Sequence, residues 1–449
     1  MAYSYRKAYI RHPQNSKPEI MKTILIIGAG RSTTSLINYL LAHAEEENWQ
    51  LIIADLDVAL IQRKIKDNPR ATALAFDVFA DIERTRLISK VDIVISMLPA
   101  HMHLPVAKDC IALGKHMVTA SYISDDMKAL DDEAKKAGVV LMNEIGVDPG
   151  IDHLSSMKII DGIKAKGGKM LVFESFTGGL IAPDSEGDNP WRYKFTWNPR
   201  NVVLAGSGGA VKFRQEGLYK YIPYHQVFRR TEMIDVEGYG RFEGYANRDS
   251  LKYRKEYGLQ DIPTIYRGTL RRPGFCRAWD VFIKLGMTDD SYVLENSSEM
   301  TFRDFTNTFL AYSVNDSVEL KLMHYLQIPQ DSELMEKLTW LGILNNTRIP
   351  LEKATPAQIL QYILEQKWSL EPNDRDMIVM FHKVGYELNG EKKMLESSMV
   401  TLGHDAVNTA MARTVGIPVA IATKLILNGV INTPGVHLPL SKEIYEPML

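Results

Sequence analysis

Six short apolar runs between Thr23 and Met142, each separated from the next by a stretch of helix length, constrain this chain more than any other feature. They read "TILII" at 23–27, "LIIA" at 51–54, "TALAF" at 72–76, "VDIVIS" at 91–96, "HMVTA" at 116–120 and "VVLM" at 139–142. Runs without polar alternation suit strands covered on both faces, and the intervening helices supply the cover. The pattern therefore predicts an α/β fold with a doubly wound parallel sheet. Ligands of such sheets bind outside the carboxyl ends of the strands, so the residues at those ends carry the chemistry.

The first run leads into Gly28-Ala29-Gly30-Arg31-Ser32-Thr33 and a helix through Leu40. Its glycines allow a tight turn and the close approach of a pyrophosphate, which the free N–H groups of a helix N-terminus attract. Thr33 stands where a third glycine is usual, and a glycine turn alone is a weak signal. Asp55, at the end of the second run, strengthens it, because a carboxylate there accepts hydrogen bonds from the adenosine ribose. An acid also repels a 2′-phosphate, and no arginine directly follows in "ADLDVAL". NAD is the expected cofactor, with NADP left open through Arg63.

The fourth run ends in Ser96-Met97-Leu98-Pro99, where proline stops the strand on the nicotinamide side. His101 and His103 follow without a third ligand nearby, so no metal is expected and both read as helix-entry residues, one of them near the cofactor. The fifth run ends at Ser121-Tyr122, whose hydroxyls read as ligand contacts, with Ser124 capping the next helix. After the sixth comes "NEIGVDPGID" at 143–152. Gly146 and Gly150 permit unusual dihedrals, Pro149 restrains Asp148, and Asp152 reads as the N-cap of the following helix. Asp148 is thus left at the crevice.

From Lys169 to about Phe275 the alternation changes to that of a mixed or antiparallel sheet. In "TIYRGTLRR", Arg267, Thr269 and Arg271 share a strand face at steps of about 6.6 Å. Guanidinium forks so displayed suit carboxylates, and "ANRDS" displays Arg248 on a turn. Two arginine displays point to a small polycarboxylate ligand. Helical spacing runs from about Glu299 to Lys383, with Thr355-Pro356 a helix start. Near the end, "MARTVGIPVAIATKLILNG" reads as two helices broken at Gly416, Pro418 opening the second and Gly429 closing it; their apolar faces need the first sheet as cover.

The 449 residues suggest about three units of ~150 residues. A formal charge of −2 gives no reason to expect nucleic acid or an anionic membrane as partner. The two cysteines, Cys110 and Cys276, read as buried thiols in a reducing compartment. Residues 1–20 have no apolar core of a signal peptide and no run of about 20 apolar residues occurs elsewhere, so the expected location is cytoplasmic.

Several motifs together resemble the saccharopine dehydrogenases of the glutamate-forming type (saccharopine reductases). They are "GAG" at 28–30, "ASYIS" at 120–124, "NEIGVDPGIDH" at 143–153, "GGLIAPDSEGDNPWRYKFTW" at 178–197, "NRDS" at 247–250, "RGTLRRPGF" at 267–275, "DMIVM" at 376–380 and the closing "KEIYEPML". The resemblance implies substrate contacts at Ser121, Tyr122, Asp148, Arg248, Thr269, Leu270 and Arg271. It implies cofactor contacts at Gly28, Ala29, Gly30, Arg31, Ser32, Asp55, Asp77, Ser96, Met97 and Val147. Asp148 is the first candidate for proton transfer and Tyr122 the second.

The implied architecture is an extension over 1–20 and a Rossmann-type domain over 21–148 completed by about 402–449. A mixed-sheet substrate and dimerisation domain over 149–298 and a helical subdomain over 299–401 follow, in a homodimer. The implied reaction is oxidative cleavage of saccharopine to glutamate and 2-aminoadipate 6-semialdehyde. Thr177 departs from the family's frequent cysteine, and Asp55 differs from the fungal pattern with a nearby arginine, which supports NAD. The rival readings are a carboxy(nor)spermidine dehydrogenase and a non-catalytic NAD-binding scaffold.

Overall fold

The computed structural model describes residues 21–205, 209–330 and 332–449, so the expected extension over 1–20 lies outside the described residues. The six apolar runs form β1 (Lys22–Ile27), β2 (Trp49–Asp55), β3 (Ala71–Ala75), β4 (Ile93–Ser96), β5 (His116–Val118) and β6 (Val140–Met142). A seventh strand, Gly435–His437, joins β6 at the sheet edge, and the order from there is β6-β5-β4-β1-β2-β3, parallel throughout. The absence of alternation in β1 has a direct cause. Ile24 and Ile26 pack into one core with Leu36 and Ile160, while Leu25 and Ile27 pack into another with Val106 and Leu130.

The helix Ala410–Leu427 is continuous, which corrects the expectation of two helices broken at Gly416. Gly416 serves close packing instead: a Cβ there would lie 2.8 Å from the Leu36 amide nitrogen, in the helix Thr34–His43. Pro418 is accommodated inside the same helix. By length and composition this helix could cross a membrane, but more than half of it is buried, with Val419, Ala420 and Ala422 in the same core as Ile24.

The second sheet contains β7 (Lys169–Ile181), β8 (Val211–Gln215), β9 (Leu218–Ile222), β10 (Thr231–Val236), β11 (Gly240–Ala246) and β12 (Thr264–Arg271). Two further strands, β13 (Asp376–Leu388) and β14 (Glu391–Leu402), belong to it. The order is β10-β11-β12-β7-β13-β14, with β8 beside β12 and β9 beside β8. Only β12 and β7 pair in parallel, so the sheet is mixed as expected.

The helical expectation for 299–401 fails over its last part, where β13 and β14 form a long hairpin turning at Asn389-Gly390, both at positive φ. Asn-Gly suits such a turn because both residues tolerate that backbone region. Helices do fill the earlier part: Phe302–Thr308, Val318–Leu326, Glu333–Leu341 and Pro356–Trp368, the last opened by a Thr355 and Gln358 capping box. They enclose an aromatic core around Trp191, Phe275, Trp279 and Trp368.

The helix Ile151–Lys164 ties the sheets together. Leu154, Met157 and Ile160 pack under the first, while the Ser155 hydroxyl lies 2.7 Å from His382 Nε2 on β13. The residues just before this helix therefore sit at the seam.

Candidate active site

The glycine turn leaves room for a ligand. Gly28 has φ 99°, and a Cβ on it would lie 2.7 Å from the Met97 carbonyl oxygen, so only glycine fits against the end of β4. A Cβ on Gly30 would meet nothing within 4 Å, which is the open backbone a pyrophosphate needs. Asp55 is at the end of β2, and its Oδ2 accepts from the Ala29 N–H at 2.6 Å, so it holds the turn while keeping lone pairs for a ribose. The turn and this acid fit a dinucleotide.

Thr33 is explained by its hydroxyl, which donates to the Gly30 carbonyl at 2.8 Å. The cation that reaches this turn is Lys64, with Nζ 2.5 Å from the Gly30 oxygen and 3.0 Å from Thr33 Oγ1. Arg63, the neighbour considered from sequence, is exposed. Burial pushes the Lys64 amine down to about 8, with Asp55 opposing. Arg31 and Asp77 are exposed at the same strand ends, Ser32 is half-buried, and Asp77 Oδ1 accepts from the Phe79 N–H at 2.9 Å. Val147 is turned elsewhere: its side chain packs with Ile378, Met380 and Met411.

On the inner side of the crevice, Ser96 and Ser121 are bridged by a buried histidine. His103 Nδ1 lies 2.8 Å from Ser96 Oγ and its Nε2 lies 2.7 Å from Ser121 Oγ. Burial, then the His101 charge, lowers His103 to about 4, so its ring is neutral at ordinary pH. His101 is exposed, and among the described residues no group of three His, Cys, Asp or Glu side chains could hold a metal ion.

The "GVDPGID" turn is built around its glycines. A Cβ on Gly150 would lie 2.0 Å from the Gly146 carbonyl oxygen, and Gly150 has φ 147°. Gly150 is also the N-cap of the helix Ile151–Lys164, which corrects the assignment of that role to Asp152. Asp152 lies inside the first turn, where its Oδ1 accepts from the Gly150 N–H at 2.6 Å. Beneath the turn, Glu144 is fully buried and accepts from the Ile123 N–H, the Tyr253 hydroxyl and His153 at 2.9, 3.0 and 2.8 Å.

Asp148 Oδ1 accepts from the Tyr122 hydroxyl at 3.0 Å and from Arg267 at 2.5 Å, and Arg267 also donates to Asp152. The expected row of substrate-binding cations on β12 is corrected here: Arg267 is committed to two carboxylates of its own chain. Burial raises the Asp148 carboxyl above the ordinary carboxylate range, against the pull of Arg267 and with the push of Asp152. Asp152 is buried too, but the charges of His153 and Arg267 and the Gly150 N–H outweigh that effect and hold it low. Burial and Asp148 together raise the Tyr122 phenol well above its usual value, keeping it a proton donor.

Arg271 has different surroundings. It is 6% exposed, enclosed by the rings of Tyr193, Phe275 and Tyr245 at 5.0, 5.3 and 5.9 Å, with no carboxylate partner among the described residues and an unpartnered Nε. Thr269 stands between the two arginines, half-buried and in register with Thr177 of β7, whose hydroxyl is buried without a partner. Leu270 buries its side chain with Phe176 and Phe242, so only its backbone can face a ligand. Arg248 is exposed at φ 53° with its guanidinium 5.0 Å from the Tyr122 ring centre, and Lys252 joins it at 5.1 Å.

Sequence reasoning read His103 as a helix-entry residue but missed its bridge between Ser96 and Ser121, and it missed Lys64, Lys252 and the pairing of Asp148 and Asp152 with Arg267. For His103 the signal was available, since a histidine seven residues after a strand-end serine enters the next helix beside that strand's end.

Fold and crevice together define a dinucleotide-binding protein of the doubly wound class, with a second sheet bearing the charged groups. Residues 24–142 match the family described as the saccharopine dehydrogenase NADP binding domain, and residues 146–449 match the saccharopine dehydrogenase C-terminal domain. The chain belongs to the saccharopine dehydrogenase family. It is 33% identical to the saccharopine dehydrogenase [NADP(+), L-glutamate-forming] of Saccharomyces cerevisiae, over 95% of this chain and 96% of that one. The protein of the same name from Schizosaccharomyces pombe is 32% identical, with 96% of each chain covered.

The apo structure of the Saccharomyces cerevisiae enzyme superposes with a TM-score of 0.84 at 32% identity, covering 95% of this chain and 96% of that chain. The alpha-aminoadipic semialdehyde synthase of Arabidopsis thaliana is also 32% identical over 96% of this chain, which spans only 44% of that longer protein. A nicotinamide cofactor is thus established for the family, and the fungal relatives are named for NADP(+), not for the NAD expected from Asp55.

Proposed function

We propose that this protein oxidatively cleaves saccharopine to L-glutamate and 2-aminoadipate 6-semialdehyde, reversibly. The observation that carries the substrate is Arg271, a buried cation that lacks a carboxylate partner among the described residues and stands on the same strand face as Arg267, the partner of Asp148. A buried guanidinium without an anion is costly, and a substrate carboxylate supplies one. Arg248 and Lys252, beside Tyr122, serve a second carboxylate.

A bound nicotinamide would supply a hydride acceptor for the carbon beside the unprotonated secondary amine, and the substrate is then a protonated imine. Among the described residues both hydrogen bonds to the Asp148 carboxylate use Oδ1, which leaves Oδ2 to handle protons. Asp148 takes a proton from the water that attacks the imine carbon and passes it to nitrogen as the carbon–nitrogen bond breaks. It then takes the hydroxyl proton as the aldehyde forms, so one proton is released overall. Its raised carboxyl suits this double use, since a group nearer neutrality both accepts and donates readily. Tyr122 holds Oδ1 in place.

The finer reading of the cofactor is NAD, carried by the Asp55 carboxylate at the ribose end of the turn. Lys64 beside it is the cation a 2′-phosphate would meet, and the names of the fungal relatives weigh toward NADP(+). The test is absorbance at the reduced-nicotinamide band after mixing the protein with saccharopine and either cofactor, with carboxyspermidine as control. A rise with saccharopine is expected, faster with NAD. A rise with carboxyspermidine alone, or none with any pair, overturns the reading.

A further inference from the structure

We propose that His103 is a positioning residue that couples the cofactor-side serine, Ser96, to the substrate-side serine, Ser121. The proposal rests on the preceding reading for which face of the bridge is which. Ser96 ends β4 and Ser121 follows the next strand in the sheet, β5, so their hydroxyls belong to neighbouring strand ends that do not bond to each other directly. The ring of His103 spans the gap with one short hydrogen bond to each, and it is 4% exposed, out of reach of competing solvent.

A neutral imidazole has one N–H and one bare nitrogen, so it can donate to only one of the two serines and must accept from the other. The bridge consequently has a direction. If Ser96 donates to Nδ1, then Nε2–H donates to Ser121, and the Ser121 proton is free for a substrate acceptor. If Ser121 donates to Nε2, then Nδ1–H donates to Ser96, and Ser121 offers only lone pairs. Whichever direction a cofactor selects at Ser96 therefore fixes whether Ser121 gives or takes a hydrogen bond. Burial keeps the ring from becoming doubly protonated, which would make it a donor to both serines and erase the direction.

The decisive experiment is a mutant cycle read by cofactor binding, not by turnover. Reduced-cofactor dissociation constants are measured by fluorescence for Ser96→Ala, Ser121→Ala and the double variant, each in the His103 and His103→Phe backgrounds. Side-chain 15N resonances of His103 are followed in parallel. In the His103 background, Ser121→Ala is expected to change cofactor affinity about fivefold or more although the residue lies on the substrate side, and the two serine effects are expected not to add. In His103→Phe the same effects become additive, and in the unaltered protein cofactor alone shifts the His103 Nε2 resonance.

Additive serine effects with His103 present, or an Nε2 resonance unmoved by cofactor, overturns the proposal. If His103→Phe does not fold, the cycle in the His103 background and the resonances still decide it. Turnover of saccharopine by the unaltered protein tests the functional reading separately, so the two can fail independently.

Discussion

The middle and the end of β12 carry the same residue on the same face with opposite results. Arg267 and Arg271 are four positions apart, about 13 Å along an extended strand. At Arg267, the "GVDPGID" turn and the helix after it bring in Asp148 and Asp152, and the guanidinium is neutralised by its own chain. At the Arg271 end, Tyr193, Tyr245 and Phe275 bring in rings, and the charge is sheltered without a counterion among the described residues. Strand periodicity places an arginine on a face, and the neighbouring elements decide whether it builds the protein or waits for a ligand.

The contrast breaks most severely if Arg267 is removed. Arg267→Met leaves two buried carboxylates facing each other, and a loss of about 3–5 kcal/mol in unfolding free energy is expected, measured by urea denaturation. Adding Asp148→Asn should recover part of it. Unchanged stability in the single variant would mean that the pair does not hold the seam.

At the strand end, Arg271→Ala should leave the fold intact and raise the KM for saccharopine by about 30-fold or more, the cost of leaving one charge of a buried pair unmatched, with little change in cofactor affinity. An equal loss for cofactor would move Arg271 out of the substrate site.

The smallest effect sharpens the role of Asp148. The Tyr122 hydroxyl bond lowers the Asp148 carboxyl, so Tyr122→Phe raises it further. A carboxylate acting as base loses activity as pH falls through its folded value. The acid limb of kcat/KM should therefore move to higher pH in Tyr122→Phe, with kcat down roughly fivefold, the worth of one hydrogen bond of about 1 kcal/mol. A limb that stays in place or moves to lower pH would remove Asp148 from the titration.

Much of this was legible in sequence because the signals were local. β1 to β6 follow from apolar runs buried on both faces, and Asp148 was found because a proline and two glycines around it have few uses other than to fix a backbone. What was missed depended on distant partners. The acids facing Arg267 are more than a hundred residues away, so its strand neighbours said nothing about its charge. The β13 and β14 hairpin lies inside the 299–401 stretch expected to be helical, because the helical spacing of its earlier part was extended past the Asn389-Gly390 turn. Gly416 was taken for a break because a glycine's packing partner, here Leu36, is invisible in its own helix.

The strand Gly435–His437 also sets an order of events during synthesis. It is the neighbour of β6 in the first sheet, yet it is made nearly 300 residues after β6. At about 5–20 residues per second, β6 leaves the ribosome with its outer edge unpaired for roughly 15 to 60 s. An open parallel edge is a template for any extended segment that reaches it. The nascent chain, more than the finished enzyme, is where this fold is exposed to mispairing.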